Sequence, residues 1–399
     1  MRKRIRSIRG LLPCIGAAAI LPFLGGTPET PQREKDRSVP PLLEKAAYIS
    51  AELTLLDFGS GGETYAEVTS ASAEAAAAPP ESPSDAAYLY DDIMLSHGDN
   101  RLIMQSDDEN AVLIGSLSSD VGDKPYPTDI EENDGAIMTV SYTKMSGSEY
   151  IGLDGGGQVR NVTALPNERL YEESGLLPEF RIKTDGTPQV LIMHTHTTES
   201  YEPYARNFYD GSFISRTTDQ TKSVVAVGHR TALKLQEAGI GVVHDTTVHD
   251  YPSFNGSYGR SAETVKNCLE EYPDIKVVID IHRDAIERSD GSRIAPVAEI
   301  NGRSAAQIMI ISGCDDGTMN MPDYMQNFRL AALLQRQLET DFEGITRPVL
   351  FDYRKYNQDL TTGSLLVEVG GHSNSLEQAL YTGDLLGESL ADALLGLAE

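Results

Sequence analysis

The chain has 399 residues, which is long for one ordinary domain and predicts two or three regions. Its 60 acidic residues outnumber 33 basic ones, and the formal net charge is −27. This balance argues against nucleic acid as a partner, because phosphate binding needs a basic face.

The N-terminus has the pattern of an export signal. Five basic residues and no acidic one lie within residues 1–10, and residues 11–26 are apolar and uncharged. A basic start followed by a short apolar run predicts a signal peptide or a signal anchor with its positive end in the cytoplasm. We expect a cell-membrane protein with a single N-terminal anchor and its catalytic domain outside the cytoplasm, or a secreted protein if residues 1–26 are cleaved.

Two regions of different composition follow. Residues 27–86 are rich in Pro, Ala, Ser and charge, so they predict a largely disordered linker. Residues 87–186 are acidic and hold strand-like runs at 136–142 and 158–163, separated by three consecutive glycines. We interpret residues 87–186 as a small mixed N-terminal module.

The pattern from residue 187 to residue 399 is that of an α/β domain. Apolar runs typical of buried strands alternate with segments of helical periodicity, which predicts a mostly parallel or mixed sheet covered by helices on both faces. The predicted strands are residues 190–193, 240–243, 276–281, 307–312, 349–351 and 365–369. The predicted helices are residues 222–236, 261–272, 322–341, 374–381 and 385–397.

The three cysteines give little evidence for a disulfide or a metal site. Beyond Cys14 in the apolar N-terminal run, the chain has only Cys268 and Cys314, both among core-like residues. Two buried free thiols are the favoured interpretation, and a disulfide between them is the alternative. No Cys-x-x-Cys pair is present, so a cysteine zinc site is not supported.

Polar side chains follow the predicted strands where sheets of this class place their sites. His194, His196 and Glu199 come after the strand at 190–193, and His282 ends the run at 276–281. The His-x-x-Glu spacing lets an imidazole and a carboxylate converge on one ion, and a hydrolytic zinc site keeps one position open for water. We predict a single zinc held by His196, Glu199 and His282, with His194 as a neighbour or an alternative ligand.

A general base is the second requirement of such a site. Glu368 follows an apolar run and suits that role, and then the role of acid toward the leaving amine, if partial burial raises its pKa. Asp280 precedes His282 by two residues on the same side of the strand, so it either orients a ligand imidazole or pairs with a base. His244 and the pair His249–Asp250 are further candidates for lining the cleft or reaching the metal.

Four separated motifs in this order resemble the stage II sporulation protein P family over residues 135–399. They are VLIMHTHTTESY at 190–201, HDYPSFNGSYGRS at 249–261, DIHRD at 280–284 and LVEVGGHSN at 366–374. The resemblance implies the fold of zinc N-acetylmuramoyl-L-alanine amidases (amidase_3-like). It also implies amidase and endopeptidase action on peptidoglycan in septal wall thinning and engulfment, with stage II sporulation proteins D and M as partners.

The resemblance also implies roles for particular residues. The zinc histidines of the amidases correspond to His196 and His282, and the catalytic glutamate to Glu368. Their acidic ligand lies on the first helix, where this chain offers Asp219 or its neighbours, and we choose Glu199 instead. The residues expected to line the substrate groove are Tyr201, Arg283 and His372.

We therefore expect a zinc-dependent N-acetylmuramoyl-L-alanine amidase that cuts peptidoglycan. The first rival is a zinc carboxypeptidase-like peptidase, which would need Arg283 or Arg260 as a clamp for the terminal carboxylate of its substrate. The second is a non-catalytic wall-binding scaffold, which the presence of Glu368 beside the ligand set disfavours.

Overall fold

The computed structural model of the chain describes residues 132–142 and 144–399. The predicted anchor, the linker and the module as far as residue 131 lie outside the described residues. Among the residues described, no helix is both long and apolar enough to cross a membrane.

The described residues alternate between strands and helices, as expected for this class. The strands are β1 (Gly135–Val140), β2 (Tyr150–Gly152), β3 (Gln158–Asn161), β4 (Pro188–Met193), β5 (Phe208–Tyr209), β6 (Gly241–His244), β7 (Val277–Asp284), β8 (Arg293–Ile300), β9 (Arg303–Ala306), β10 (Ile308–Gly313), β11 (Val349–Asp352) and β12 (Ser364–Gly371). The helices are α1 (Asn167–Ser174), α2 (Val224–Glu237), α3 (Ser257–Glu271), α4 (Tyr324–Asp341) and α5 (Leu376–Leu395).

A mixed eight-stranded sheet has the order β2-β3-β11-β10-β12-β7-β4-β6. Strands β6, β4, β7 and β12 are parallel, whereas β10 is antiparallel to β12. The four parallel strands therefore bring their carboxyl ends to one edge of the sheet. The mixed α/β fold is confirmed.

Helices cover both faces of this sheet. On one face α2, α4 and α5 pack on apolar side chains that alternate along the strands, such as Ile192, Ile279 and Val367. On the other face α3 packs through Val265 and Cys268 on the neighbours of those side chains. Cys268 and Cys314 are buried and free, as the favoured interpretation predicts.

The N-terminal strands of the described region are not separate from the large sheet. Strand β3 pairs in parallel with β11, and β2 pairs with β3 across the turn that contains the three glycines. The sheet is therefore continuous across the boundary predicted at residue 187.

The last helix corrects one prediction. Residues 374–381 and 385–397 were expected to form two helices, but α5 is a single helix. A Cβ on Gly383 would lie 2.8 Å from the carbonyl oxygen of Val227, and one on Gly387 would lie 2.6 Å from the Cβ of Lys234. The glycines thus mark the close approach of α5 to α2, not a break between helices.

Helix α3 corrects a second prediction, because it begins at Ser257 and not at Ser261. Gly256 precedes it with a left-handed φ of 84°, which glycine adopts without strain. The hydroxyl of Ser261 lies inside the helix and accepts a hydrogen bond from Thr195 at 2.8 Å. It therefore joins α3 to the loop after β4 instead of capping the helix.

A second sheet, with the order β5-β1-β8-β9, was not expected from the sequence except for β1. Strands β8 and β9 form a hairpin whose two turn residues are Asn301 and Gly302, with φ of 52° and 74°. Asn-Gly with both φ values positive is the favoured two-residue hairpin turn, because its twist matches that of the strands.

We predict that Gly228→Ala destabilises the protein. A Cβ at this position of α2 would lie 2.6 Å from Cε1 of His194 and 2.9 Å from Nε2 of His244. Overpacking of this kind costs about 1–3 kcal/mol of unfolding free energy, measurable by urea titration.

The matched control is Gly259→Ala in α3, where a new Cβ would meet nothing within 4 Å. This change should stabilise the protein by up to about 1 kcal/mol, because alanine loses less backbone entropy in a helix. Equal effects of the two substitutions would contradict the packing described for α2.

Candidate metal centre and catalytic site

The pairing of the parallel strands β7 and β12 places the central residues of the site next to one another. His282 on β7 lies opposite Glu368 on β12, and Asp280 lies opposite Leu366. Residues opposite one another on paired strands project from the same face of a sheet, and alternate residues share that face. His282, Asp280 and Glu368 are therefore neighbours, as the sequence predicts.

The loop after β4 adds two side chains through a tight turn. The backbone N–H of Glu199 donates to the carbonyl of His196 at 3.0 Å, so the His-x-x-Glu spacing forms one turn. The backbone N–H and the hydroxyl of Thr198 donate to the carboxylate of Asp250 at 3.1 and 2.7 Å. These bonds fix the turn beside the end of β7.

His196 lies in an aromatic enclosure. Its ring stacks on Phe254 at 4.5 Å between centroids and meets Tyr258 and His282 edge-on at 5.6 and 5.3 Å. Burial lowers the pKa of His196 to about 3. The ring is therefore neutral, which is the form of imidazole that binds a metal.

His282 is held between two carboxylates. Its Nε2 lies 2.9 Å from Oδ1 of Asp280, and its Nδ1 lies 3.5 Å from Oε2 of Glu199. Burial by itself would lower the pKa of His282, but Asp280 and Glu199 outweigh burial and raise it well above its ordinary value. His282 is thus an imidazolium in the metal-free protein, and its proton supplies a positive charge that the two carboxylates require.

Two arginines balance the rest of the negative charge. Arg216 donates to Glu199 at 3.3 Å and to Asp250 at 2.7 Å. The backbone N–H of Arg283 donates to Oε2 of Glu199 at 3.1 Å. Burial would raise the pKa of Glu199, but Arg283, His282 and Arg216 together hold it below its ordinary value.

Arg216 was missed by the sequence analysis, because an isolated arginine in a loop gives no periodic or motif signal. Asp250 had been an alternative for reaching the metal. Its Oδ2 lies 3.9 Å from Nδ1 of His196 and 2.7 Å from Arg216, so it anchors the turn beside the candidate ligands. Phe254 and Tyr258 fall inside the recognised motif at 249–261, but nothing in that pattern showed that they enclose His196.

His194 lies apart from this group. Its Nδ1 is 3.1 Å from the carbonyl oxygen of Ile281, and its Nε2 is 2.9 Å from Nε2 of His244. His249 is similarly occupied, with the carbonyl of His194 and the hydroxyl of Thr264 each 2.9 Å from a ring nitrogen. Both ring nitrogens of His194 and of His249 have partners within the fold. These contacts favour His196 over His194 as the ligand, and the alternative role of His194 stays a prediction.

The residues predicted to line the groove are buried. The exposed fractions of Tyr201, Arg283 and His372 are 0%, 4% and 7%. The guanidinium of Arg283 donates to the carbonyls of Ser200 and Ser215 at 3.2 and 3.0 Å, so it fastens two loops together. The sequence predicts that these residues lie near the site, but it holds no information on the direction of their side chains, and their role in binding substrate stays a prediction.

Glu368 has the properties of a general base. The side chain is only partly exposed, and its Oε2 is inaccessible and has no hydrogen-bond partner among the described residues. Burial first, and then the nearby carboxylate of Asp284, raise the pKa of Glu368 to about 8. A buried carboxyl oxygen without a partner is costly and calls for a functional explanation.

The donors fit zinc in kind. Two imidazoles and a carboxylate are a usual zinc ligand set, and His196, Glu199 and His282 provide it next to Glu368. Within residues 132–142 and 144–399, no three His, Cys, Asp or Glu side chains already converge on one point as metal ligands. The fit therefore rests on donor type and proximity, and a metal would have to displace the proton on His282.

Solved structures similar to part of the chain include two amidases. One is the N-acetylmuramoyl-L-alanine amidase AmiC2 of Nostoc punctiforme, with 14% identity over 53% of this chain and 97% of that chain and a TM-score of 0.33. The other is the CwlD amidase from Clostridioides difficile, solved in complex with the GerS lipoprotein, with 16% identity over 52% and 94% and a TM-score of 0.32.

Sequence comparison is more specific. Stage II sporulation protein P of Bacillus subtilis (strain 168) is 30% identical over 200 residues, and the match spans 47% of each chain, about half the length of that relative. The family model of stage II sporulation protein P matches residues 130–391. Because this match covers most of the sequence, the chain belongs to the stage II sporulation protein P family.

Proposed function

We propose that the chain is a peptidoglycan hydrolase of sporulation, a zinc-dependent N-acetylmuramoyl-L-alanine amidase with endopeptidase action as a second activity. The observation that carries this proposal is the unpartnered Oε2 of Glu368, placed opposite His282 in a cluster with His196 and Glu199. Membership in a sporulation family supports the cellular setting.

His196, Glu199 and His282 would hold the zinc. When bound, zinc supplies Lewis acidity, which lowers the pKa of water and polarises a carbonyl group. Asp280 keeps His282 in position through its contact at 2.9 Å, and Arg216 and Arg283 keep Glu199 ionised. The neutral ring of His196 needs no deprotonation before it binds.

Glu368 would perform the proton transfers. Its carboxylate takes a proton from the attacking water, and the resulting carboxylic acid donates that proton to the nitrogen of the leaving amine. A group used in both directions works best when its pKa lies near the working pH. The pKa of about 8 in the metal-free protein is above that range, and a cation beside His282 would lower it.

The carboxypeptidase alternative is less well supported. Its two clamp candidates are already engaged, since Arg283 binds the carbonyls of Ser200 and Ser215 and Arg260 binds those of His249, Ser253 and Asn255. A non-catalytic wall-binding scaffold would have no use for the raised pKa of Glu368.

Three further features remain proposals. They are attachment to the cell membrane through residues 1–26, a catalytic domain in the septal space, and stage II sporulation proteins D and M as partners.

Glu368→Gln should abolish wall cleavage, with an activity loss of about 10²–10⁴-fold, because glutamine can neither take nor return the proton. The measurement is release of stem peptides and free lactyl ends from purified sacculi. Glu377→Gln, an exposed change in the first turn of α5, is the matched control and should cleave normally. Wild-type rates in Glu368→Gln would refute the mechanism.

Metal analysis separates the two neighbouring histidines. His196→Ala should lose stoichiometric zinc while remaining folded. His194→Ala should keep its zinc but lose about 2 kcal/mol of unfolding free energy, because His244 would be left buried without its partner. A folded His194→Ala protein without zinc would show that the ligand assignment is wrong.

The pH dependence of the free energy of unfolding, measured on chelator-treated protein, tests the protonation state of Glu368. Because its pKa is raised from 4.5 to about 8, the folded state binds this proton more tightly than the unfolded state. The resulting stability is complete below pH 4.5 and is lost as the pH rises through 8.

The unfolding free energy of wild type should therefore fall relative to that of Glu368→Gln between these pH values. We expect a relative loss of up to about 5 kcal/mol, measured by urea titration. The exposed change Glu377→Gln serves as control and should follow wild type. A difference between wild type and Glu368→Gln that stays constant with pH would contradict the raised pKa.

A further inference from the structure

A pocket of about 450 Å³ lies between the large sheet and the segment that follows β7. It lies on the face of the sheet that carries Glu368, and its floor includes Met309, which stands opposite Glu368 across β10 and β12. Its size is within the range of about 300–1,000 Å³ that is typical of ligand pockets. Nothing in the mechanism above uses this space.

The lining is basic, although the chain as a whole is strongly acidic. Three arginines, Arg160, Arg288 and Arg347, face one acidic residue, Glu287, around an apolar floor that includes Leu350. The formal net charge of the whole chain is −27, so this excess of arginine is a local feature. A basic wall over an apolar floor suits a ligand that carries both an anionic group and hydrocarbon.

Arg347 is the most unusual residue of the lining. It is 5% exposed, and its Nη1 donates to Oδ2 of Asp284 at 2.9 Å. Its Nε and Nη2 are buried and make no hydrogen bond within the described residues, and Nε of Arg160 is in the same state. Leaving a buried donor unpaired costs about 1–3 kcal/mol, and more when the donor is charged, so these donors call for an acceptor.

We propose that this pocket is a binding site for a carboxylate of the peptide substrate, received by the Nε and Nη2 donors of Arg347. The inference rests on the proposed function only in naming a peptidoglycan stem peptide as the source of the carboxylate. The planar guanidinium offers two parallel donors that match the two oxygens of a carboxylate. Asp284 fixes the third nitrogen and so orients the other two.

The location gives the pocket a role in positioning. Met309 in the pocket floor stands opposite Glu368 across β10 and β12, so a carboxylate bound there lies on the same face of the sheet as the reacting group. A peptide anchored by its anionic group in this pocket would therefore be held on the face of the sheet that carries Glu368. The same pocket would disfavour peptides in which that carboxylate is amidated, because the arginine donors would stay unpaired.

Binding of three synthetic probes tests the proposal without turnover. The full-length chain carrying Glu368→Gln is titrated with N-acetylmuramoyl-L-alanyl-D-glutamate, with its α-amide and with its γ-amide. We expect the α-amide to bind about 10-fold more weakly if the α-carboxylate is the group recognised, because a charge-assisted bidentate contact is lost. If the γ-amide binds more weakly instead, the γ-carboxylate is the group that this pocket recognises.

Two further variants assign the effect to Arg347. Arg347→Lys keeps the charge beside Asp284 but loses the planar pair of donors, so the preference for the carboxylate should shrink several-fold. Arg329→Lys makes the same exchange at a partly buried ion pair with Glu173, outside the pocket, and should leave the preference unchanged.

The outcomes of the titration and of the activity assay are independent. Equal affinity for all three probes, or an undiminished preference in folded Arg347→Lys, would overturn the inference even if the protein cleaves peptidoglycan. A preference that depends on Arg347 in a protein that never cleaves wall would leave the pocket standing and refute the proposed function instead.

Discussion

The site depends on a balance of buried charge around His282. Asp280 and Glu199 place two carboxylates beside one imidazole, and Arg216 and Arg283 hold Glu199 from the other side. Buried carboxylates are tolerated only when they are paired and hydrogen-bonded. In the metal-free protein, the positive charge that balances Asp280 and Glu199 comes from a tightly held proton on His282. A divalent cation can take the place of that proton, which links the electrostatics of the fold to the proposed zinc chemistry.

Much of this arrangement could be predicted from the sequence, because it follows from strand geometry. Apolar runs identified the strands that end near His196, His282 and Glu368, and parallel strands bring such ends together. The two-residue spacing of Asp280 and His282 placed them on one face, which the contact at 2.9 Å confirms. The condition set for Glu368, a pKa raised by burial, is also met.

Other features depend on side-chain direction and packing, which the pattern of residue types does not contain. His194 and His196 are two histidines of one short segment, so the residue types alone do not distinguish their roles. The turn after β4 directs His194 to His244 and His196 toward His282. Tyr201 looked like a groove residue and is instead fully buried. The β8–β9 hairpin differs from these cases, since Asn301–Gly302 carries a local turn signal that was available in the sequence.

The central claim is that one cation binds where His196, Glu199 and His282 meet. Crystals of the zinc-loaded protein, measured on both sides of the zinc absorption edge, test this directly. We expect a single anomalous peak ligated by these three side chains, with Glu368 next to it. The absence of a peak there, or a peak between His194 and His244, would contradict it.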